Sequence, residues 1–344
     1  MQLPAAIARV MARQNLSAQE MNQVMHAIMS GQATSAQVAG FLVGLHMKGE
    51  TVTELTSAVQ VMRELAEQVP IEPHPYMVDT CGTGGDGAHT FNISTASAFV
   101  AAAAGAKVAK HGNRSVSSST GSADVLEAAG GCVALPAVAV SRCISQVGFG
   151  FMFAPVFHQA MKHAIGPRRE MGVRTMFNLL GPLTNPARAR NQVIGVFAKS
   201  WLLPVAEVAN ALGSEHVLVV HAEDGLDEIS LSCPTHVVEL HEGEISSYQI
   251  TPEELGVRRS ELSGLTVKSA EQSLSLITSA LNGKPGAARD IVTLNAGAAI
   301  YAAGLAESLE SGVAIAKEQV ATGAAAEKLQ QWVSFTQKYK AESL

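Results

Sequence analysis

Two stretches of the sequence combine glycine with hydroxyl-bearing residues, and both have the composition of an anion-binding loop. The first reads Asp-Thr-Cys-Gly-Thr-Gly-Gly-Asp-Gly over residues 79–87 and continues to Ser94 and Thr95. The second reads Lys-His-Gly-Asn-Arg-Ser-Val-Ser-Ser over residues 110–118. Backbone N–H groups of glycine turns and of helix N-termini favour phosphate. Together the two stretches predict a cleft for a substrate that carries several phosphates.

Residues 82–87 satisfy the G-x-G-x-x-G pattern of dinucleotide-binding folds, but their context does not fit those folds. There the helix opens at the second glycine, and an acidic residue follows the motif about 20 positions later. Here the loop runs on to Asn92, and the later positions hold Lys107 and Lys110. A Walker A loop is excluded as well, because no Gly-Lys-Ser/Thr follows the glycines. We therefore expect a phosphate loop of another kind.

Charged and hydroxyl side chains reinforce the prediction of a phosphate site. Lys110 and Arg114 supply a point charge and a planar donor fork, and both are suited to phosphate. Ser94 and Thr95 precede an alanine-rich helix former, where an N-cap is expected, so their hydroxyls would serve the anion, the cap or both. His111 could be a general base, and a neutral histidine in a structural hydrogen bond is an equal alternative.

An acidic stretch, Glu-Asp-Gly-Leu-Asp-Glu over residues 223–228, follows a segment predicted to be a strand. Mg²⁺ is usually bound by one or two carboxylates plus substrate phosphates. Asp227 and Glu228 lead into an apolar residue, which favours them as magnesium ligands over Glu223 and Asp224. A solvated acidic turn is the competing interpretation.

Arg168 and Arg169 follow Gly166-Pro167 and are predicted to begin a helix over residues 168–180, which Gly181-Pro182 would end. A helix N-terminus disfavours cations, so an arginine there is expected to reach away toward a partner. The carboxylate of a small substrate would suit Arg168. Surface arginines without a ligand are the alternative.

The elements that position these groups fall into two parts. Up to about residue 70, apolar side chains recur every three or four positions, which predicts four short helices. Their methionine-rich stripes indicate a helical core or a subunit interface. From residue 73 onward, short apolar segments alternate with helical ones and glycine turns, as in a mostly parallel sheet covered on both faces. The predicted fold class is α/β, with a small N-terminal helical domain and a larger α/β domain.

The expected domain boundaries are 1–72 and 73–344, with a helical segment at about 168–185 rejoining the helical domain. The predicted strands are 77–79, 107–110, 150–153, 193–197, 216–221 and 237–240. The predicted helices of the larger domain are 94–104, 122–129, 137–147, 156–164, 201–212, 269–281 and 287–303, followed by a helical C-terminal segment.

Composition narrows the function further. The 344 residues carry a net charge of −6 and contain no Lys/Arg block, which argues against a nucleic-acid partner. Arg9 and Arg13 interrupt the apolar N-terminal patch, so it predicts an amphipathic helix rather than a signal peptide, and no apolar run approaches the roughly 20 residues of a membrane span. The four cysteines contain no C-x-x-C pair and are expected to be reduced thiols of a cytoplasmic protein.

Seven motifs, in this order, resemble those of the anthranilate phosphoribosyltransferase family and span essentially the whole chain. They lie at residues 79–87, 90–95, 110–114, 121–127, 166–170, 177–186 and 225–228. The resemblance implies a nucleoside phosphorylase/phosphoribosyltransferase-like fold with the active site between the two domains. It also implies a homodimer formed through the helical domain. Whether a glutamine amidotransferase subunit associates with the chain is left open.

The activity implied by the resemblance is transfer of the phosphoribosyl group of 5-phosphoribosyl 1-pyrophosphate (PRPP) to the amine of anthranilate. The products would be N-(5-phosphoribosyl)anthranilate and pyrophosphate, in tryptophan biosynthesis. Two Mg²⁺ ions per site are implied as cofactors. An arylamine is largely unprotonated at neutral pH, so no residue is expected to be an essential acid or base.

The resemblance also implies roles for individual residues. The positions matching the PRPP contacts are Gly82, Gly85, Asp86, Thr90, Asn92, Ile93, Ser94, Thr95, Lys110, His111, Gly112, Asn113, Arg114, Ser115, Val116, Ser117, Ser118 and Ser122. The metal positions are Ser94, Asp227 and Glu228, and the anthranilate positions are Gly82, Asn113 and Arg168, with His111 and Pro182 lining that substrate's route.

Two other functions compete with this one. Pyrimidine nucleoside phosphorylases have a similar fold and a related phosphate loop, but they lack the Lys-His-Gly-Asn-Arg form and the Asp-Glu pair found here at 110–114 and 227–228. Catalytically inactive relatives with this fold bind nucleic acid. The acidic balance of the chain and the presence of Asp227, Glu228 and Arg168 argue against that function.

Overall fold

A seven-stranded sheet forms the centre of the protein, which is represented by a computed structural model that describes residues 1–72, 74–115 and 119–342. The strand order is β3-β2-β1-β4-β5-β6-β7. The strands are β1 Met77–Thr80, β2 Lys107–Gly112, β3 Phe149–Phe153, β4 Asn191–Gly195, β5 His216–Ala222, β6 Thr235–His241 and β7 Glu244–Ile250.

Strands β1 to β5 are parallel, and β6 and β7 add an antiparallel edge. Each of the six predicted strands overlaps one of these, so the mostly parallel sheet is confirmed. Strand β7 was not predicted, because its sequence is polar and most of its side chains are exposed at the sheet edge. Glu242 and Gly243, with φ of 51° and 87°, form the tight turn between β6 and β7.

Both faces of the sheet are buried. On β5, Val217 and Val219 pack into one apolar cluster while Leu218 and Val220 pack into another, as the alternation of a strand requires. The first cluster includes α1 to α4, and the second includes the C-terminal helices, with Trp332 packed against aromatic rings. This two-sided burial fits a central parallel sheet.

The helices alternate with the strands and continue past the sheet. They are α1 Leu3–Met11, α2 Ala18–Met29, α3 Ser35–Lys48, α4 Val52–Leu65, α5 Ile93–Ala103, α6 Ser122–Ala128, α7 Ala137–Val147, α8 Ala154–Phe157, α9 Lys162–Met171, α10 Met176–Leu183, α11 Leu202–Ala211, α12 Ala270–Leu281, α13 Ala287–Ala302, α14 Leu309–Ala321 and α15 Ala324–Glu342. Short 3-10 turns occupy Gln159–Met161, Lys199–Trp201 and Ser263–Leu265. Among the described helices, none combines the length and the apolar composition that a membrane crossing requires.

The four N-terminal helices are present as predicted. Capping boxes begin α2 at Ser17 and α4 at Thr51, where each hydroxyl accepts a hydrogen bond from the backbone N–H three residues on. The apolar cluster of α1 to α4 also includes Ala164 of α9 and Leu180 of α10, and it extends onto the sheet. Helices α9 and α10 therefore bridge the helical bundle and the α/β part of the chain.

The single helix predicted over residues 168–180 is wrong. The chain forms α9 and α10 instead, and α9 ends at Gly172, whose φ of 61° lies in the left-handed region. Pro167 lies inside α9 and Pro182 lies inside α10, so neither proline marks a helix boundary. The helix predicted at 156–164 is likewise divided between α8, a 3-10 turn and α9.

Candidate functional site

The site lies where the order of the parallel strands reverses. Strands β1 and β4 are parallel neighbours in the middle of the sheet, with β2 beyond β1 on one side and β5 beyond β4 on the other. Loops that leave such a pair diverge and open a crevice outside the carboxyl ends of the strands. The glycine-rich stretch follows β1, and the acidic stretch follows β5, so both border this crevice.

The loop after β1 is shaped by glycines and held by backbone contacts. Gly84, Gly85 and Gly87 have φ of 65°, 78° and 77°, a region that side chains disfavour. The Thr83 N–H donates to the Gly195 carbonyl over 2.8 Å, and the Gly84 N–H donates to Oδ2 of Asp227 over 2.8 Å. The loop is thereby fixed between the ends of β4 and β5.

Helix α5 begins at Ile93, one residue before Ser94, the first of the two predicted cap residues. Its N-cap is Asn92, without a side-chain cap, so Ser94 and Thr95 lie in the first turn and the prediction that they cap the helix is wrong. The Ser94 N–H donates to Oε1 of Glu228 over 3.1 Å, whereas Thr95 is buried. Asn92 is held by the Ser273 hydroxyl, which donates to its Oδ1 over 2.7 Å. The Ser94 N–H in the first turn of α5 therefore faces the carboxylate side of the crevice.

Lys110 is buried within β2, and its side chain points toward the start of α5. Its Nζ donates to the Thr80 carbonyl, and it also lies 3.3 Å from Oγ of Ser94. Asp79 is fully buried nearby and accepts the His111 N–H and an Asn185 amide hydrogen over 3.2 and 2.7 Å. Burial raises the pKa of Asp79 to about 6, against the opposing effect of the Lys110 charge. An ammonium group is therefore held in place beside the loop.

Three carboxyl groups, those of Asp86, Asp227 and Glu228, lie near one another at the floor of the crevice. Burial and, to a smaller extent, the neighbouring Asp86 together raise the pKa of Asp227 to about 7. Burial likewise raises the pKa of Glu228 to about 8, with Asp227 adding repulsion and Lys110 opposing it. Like charges so close together are relieved by a cation, and Mg²⁺ prefers carboxylate oxygens. Asp227 and Glu228 therefore have the chemistry of a magnesium site, although Asp86, Asp227 and Glu228 do not bring three ligand atoms within 4.8 Å of one another.

The other two acidic residues of that stretch serve local structure. Asp224 accepts the Ser230 and Ser232 hydroxyls over 2.6 and 2.5 Å, which closes a turn. Glu223 is exposed and accepts from the Gln249 side chain over 2.8 Å. Asp224 and Glu223 are thus engaged in local contacts, and Asp227 and Glu228 stay the predicted metal ligands of this stretch.

A second group of potential metal ligands lies at the opposite end of β5. His216, Glu239 and His241 each place a ligand atom within 4.8 Å of the others. Glu239 already accepts hydrogen bonds from His216, Tyr248 and Tyr301 over 2.8, 2.7 and 2.8 Å. This group is a hydrogen-bond network that holds β5, β6 and β7 to α13.

In the loop after β2, the charged side chain turns toward helix α6. Arg114 donates to Asp124 over 3.1 Å and to both carboxylate oxygens of Glu127 over 2.5 and 2.8 Å. The Ser122 hydroxyl donates to the Asn113 carbonyl over 3.3 Å, and a side chain at Gly112 would collide with Ser122. Ser115 is fixed by its N–H bond to Asp124. Val116, Ser117 and Ser118 lie outside the described residues.

His111 is a buried neutral imidazole. Burial lowers its pKa to about 3, and His158, whose ring centroid is 5.0 Å away, lowers it further. Its Nδ1 donates to the Gly181 carbonyl over 3.2 Å, which fixes the tautomer, and its buried Nε2 has no partner in the described part of the chain. The structural alternative for His111 is thus favoured over a base that titrates near neutral pH.

Arg168 does not begin a helix, and that prediction is wrong. Arg168 and Arg169 occupy the last turn of α9, where the helix dipole favours cations. The Arg168 guanidinium lies 5.1 Å from the ring centre of Phe177, and burial lowers its pKa. Pro182 accepts an amide hydrogen of Gln192 at its carbonyl over 2.8 Å. The described contacts do not join Arg168 to either loop.

Sequence reasoning missed two residues that shape the first loop, Arg174 and Phe197. Arg174 donates to the Gly85 carbonyl and stacks on Phe197, with 4.6 Å from the guanidinium carbon to the ring centre. The Phe197 N–H donates to Oγ1 of Thr83 over 3.1 Å. Neither spacing nor composition marks Arg174 or Phe197, since each lies in a connection after an ordinary helix or strand.

The structure brings some of the predicted site residues together. A Cβ added to Gly82 would lie 2.7 Å from Oδ2 of Asp227, and Asp86 interacts with the same carboxyl group. Ile93 is buried at the start of α5, and Thr90 pairs with Thr266 in an isolated bridge that holds the end of the loop. Gly82, Asp86, Ser94, Lys110, Asp227 and Glu228 surround one crevice.

Two family models match the chain. The one described as "Glycosyl transferase family, helical bundle domain" matches residues 4–66, and the one described as "Glycosyl transferase family, a/b domain" matches residues 74–326. A curated relative, anthranilate phosphoribosyltransferase of Thioalkalivibrio sulfidiphilus, is 61% identical over 336 residues, covering 98% of this chain and 99% of the relative.

Solved structures share the architecture. Anthranilate phosphoribosyltransferase from Thermus thermophilus superposes with a TM-score of 0.91 at 44% identity, covering 96% of this chain and 99% of that one. The Saccharomyces cerevisiae protein of the same name, solved in complex with PRPP and Mg, gives a TM-score of 0.88 at 24% identity, with 98% of each chain covered. At that identity the yeast structure supports the fold alone.

Proposed function

The chain belongs to the anthranilate phosphoribosyltransferase family, and we propose that the crevice at the carboxyl ends of β1, β2, β4 and β5 is its active site. The enzyme transfers the phosphoribosyl group of PRPP to the amine of anthranilate and releases pyrophosphate. The observation that carries the assignment of the site is the meeting of Asp227 and Glu228 with backbone N–H groups of the glycine loop and of α5. The pyrimidine nucleoside phosphorylase and nucleic-acid-binding alternatives are not favoured.

We infer that the donor side of the crevice binds PRPP. The turns at Gly84, Gly85 and Gly87 and the first turn of α5 offer backbone N–H groups, and Lys110 adds a buried positive charge. The remaining proposed contacts are those that the sequence resemblance implied, with Val116, Ser117 and Ser118 completing the loop after β2. Arg114 would have to exchange its carboxylate partners for phosphate oxygens to join them.

We assign Asp227, Glu228 and the Ser94 hydroxyl as the residues that would hold Mg²⁺, with two ions per site. Bound Mg²⁺ would neutralise the charge that develops on the departing pyrophosphate. The support is the repulsion among Asp86, Asp227 and Glu228, which a divalent cation removes. The Gly84 N–H donates to Asp227 and the Ser94 N–H donates to Glu228, so a cation bound to these carboxylates would release both N–H groups to a phosphate.

The chemistry then requires little proton transfer from the protein. Loop N–H groups and Lys110 stabilise charge on the leaving group where it develops. Arg168 would orient the anthranilate carboxylate, with Gly82 and Asn113 beside it and His111 and Pro182 along its route. Because His111 is neutral and its Nδ1 hydrogen is committed to Gly181, it lines the site and does not serve as an essential base.

We propose a homodimer formed through the helical domain. Met11 of α1 and Met47 of α3 are 73% and 71% exposed, and Val43 lies one turn from Met47 on the same helix. Adjacent exposed apolar side chains are typical of an interface. We further propose two domains, residues 1–72 and 73–344, with the segment at 168–185 packed on the first. We also propose that the protein is a cytoplasmic enzyme of tryptophan biosynthesis. Co-purification with a glutamine amidotransferase subunit is the test of whether such a subunit associates with the chain.

One assay tests the function. Purified protein with PRPP, anthranilate and Mg²⁺ should convert anthranilate into N-(5-phosphoribosyl)anthranilate, followed by the change in fluorescence and by pyrophosphate release in equal amounts. Omission of Mg²⁺ with a chelator should stop the reaction. Phosphorolysis of a pyrimidine nucleoside, with no product from anthranilate, would contradict the assignment.

A further inference from the structure

Arg174 connects the two sides of the crevice, and none of the roles assigned above involves it. It lies in the short connection between α9 and α10, and its side chain is exposed. Its Nη2 donates a hydrogen bond to the carbonyl of Gly85, in the glycine loop after β1. In the described part of the chain, this is the hydrogen bond that joins the α9–α10 connection to that loop.

The contact has two parts that a planar guanidinium can make at once. One is the hydrogen bond to the Gly85 carbonyl, and the other is the stack on Phe197 at 4.6 Å. Phe197 is itself attached to the loop, because its N–H donates to Oγ1 of Thr83 over 3.1 Å. The guanidinium thus lies between a loop carbonyl and a ring that the same loop holds. An ammonium group could replace the charge but not the stack.

Gly85 has the conformation and the space that this contact needs. Its φ of 78° lies in the left-handed region, and a Cβ at this position would lie 3.3 Å from Nε of Arg174. The next glycine toward the N-terminus, Gly84, donates to Asp227. Adjacent residues of one turn therefore contact the carboxylate floor on one side and Arg174 on the other.

The other end of the connection belongs to the helical side. Helix α9 carries Arg168, ends at Gly172, and packs on the bundle through the buried Ala164. A Cβ added to Gly31, which follows α2, would lie 2.7 Å from the ring of His163, so α9 lies against the end of α2. A continuous path leads from the bundle through α9 to Arg174 and the glycine loop.

We propose that Arg174 is a positioning residue that holds the glycine loop with the Gly84 N–H facing Asp227 and couples this loop to α9. The expected effect of Arg174 on the KM for PRPP rests on the proposed function, whereas its expected effect on the conformation of the loop does not. Arg174 acts through the loop and is not itself a catalytic residue. Without it, the loop samples other arrangements before PRPP binds, which lowers the population that is ready to bind.

Hydrogen exchange of the ligand-free protein tests the conformational part. In Arg174→Ala, amide exchange over residues 83–88 should be about 10-fold faster, because the loop opens more often once the charged hydrogen bond to Gly85 is lost. Arg174→Lys should be intermediate. Arg258→Ala, which removes one exposed positive charge elsewhere in the chain, should leave exchange in this loop unchanged. Equal exchange in wild type and Arg174→Ala would overturn the proposal.

Steady-state kinetics tests the coupling to substrate. The KM for PRPP should rise about 10-fold in Arg174→Ala with kcat changed less than about twofold, since the loss falls on the binding-ready population. Faster exchange with an unchanged KM for PRPP would contradict a positioning role. If wild type forms no product from PRPP and anthranilate, the proposed function fails, and the exchange experiment still decides whether Arg174 holds the loop.

Discussion

The backbone N–H of Gly84 lies 2.8 Å from Oδ2 of Asp227, so the loop after β1 is fastened to the carboxylate pair after β5. Two sequence motifs separated by 143 residues thereby form one surface. The hydrogen bond lowers the pKa of Asp227, and it opposes the burial and the neighbouring Asp86 that together raise this pKa to about 7. A displacement of the glycine loop should therefore displace the Asp227 carboxylate, and a displacement of Asp227 should displace the loop.

Removing the charge of the pair should remove Mg²⁺-dependent turnover. Asp227→Asn and Glu228→Gln keep the side-chain shape, and each should lower kcat/KM for PRPP at least about 100-fold, because a ligand to the ion that stabilises the leaving group is lost. The measurement is product fluorescence against Mg²⁺ concentration. Glu223→Gln, in the same acidic stretch but bonded to Gln249, is the matched control and should stay within about twofold.

A methyl group at Gly82 should disturb the same pair without changing any charge. The added Cβ would lie 2.7 Å from Oδ2 of Asp227, so this carboxylate must move. We expect Gly82→Ala to raise the Mg²⁺ concentration needed for half-maximal activity about 10-fold, a cost of about 1.4 kcal/mol. Gly264→Ala is the control, because a Cβ there meets no atom of the described chain within 4 Å. Identical Mg²⁺ curves for the two variants would disprove the close contact.

Replacing Arg168 should affect the acceptor and spare the donor. Loss of a charged hydrogen bond costs about 1.5–3 kcal/mol, so Arg168→Ala should raise the KM for anthranilate about 10- to 100-fold. The KM for PRPP should change less than about twofold. Arg169→Ala, the next residue of the same helix turn, is exposed and serves as the control. An equal rise in both KM values for Arg168→Ala would argue against a role in orienting anthranilate.

Charge on the exposed methionines should separate the subunits. In Met11→Glu/Met47→Glu, two acids replace side chains that are 73% and 71% exposed in the monomer. We expect the mass from light scattering to fall to that of one chain, while the fold of each monomer persists. Val138→Glu places an acid at a 52% exposed site of α7 and should remain dimeric. If the double variant stayed dimeric, the subunit interface would have to lie on another surface of the protein.

Acid should weaken the network around Glu239. Burial works to raise the pKa of Glu239, but hydrogen bonds from His216, Tyr248 and Tyr301 outweigh it and lower the pKa to about 2, against 4.5 as a reference. A depressed pKa stabilises the fold above the unfolded-state value, and this stabilisation is lost as pH falls from about 4.5 toward 2. Wild type and Glu239→Gln should differ by about 1–2 kcal/mol in free energy of unfolding at pH 7.

That difference should shrink as pH falls below about 4.5. Urea unfolding followed by the fluorescence of the buried Trp332 measures it at each pH. Tyr248→Phe removes one donor and should show a smaller version of the same trend. A difference between wild type and Glu239→Gln that stayed constant from pH 6 to pH 3 would mean that Glu239 is not the group responsible.

Local sequence was enough to predict the parallel strands, the four N-terminal helices and the glycine loops. Strand and helix periods are properties of short segments, and the left-handed turns at Gly84, Gly85 and Gly87 need glycine whatever lies around them. The choice of Asp227 and Glu228 over their neighbours also rested on a local feature, the apolar residue that follows them.

The break between α9 and α10 could not be predicted in the same way. Pro167 has the sequence signature of a first helical position, yet it lies inside α9, whose packing on the bundle offsets the lost hydrogen bond. The helix ends at Gly172 instead, and the sequence does not distinguish this glycine from others until its positive φ is known. Arg174 escaped notice for the same reason, because its role depends on a carbonyl 89 residues away.

Synthesis on the ribosome imposes an order on this site. Asn92, which caps α5, is held by Ser273, a residue 181 positions later in the chain. At about 5–20 residues per second, the start of α5 waits roughly 9–36 s for that partner to be made. During this interval Asn92 lacks this partner, so in a nascent chain halted before residue 273 the first turn of α5 should exchange its amide hydrogens faster than in the finished protein.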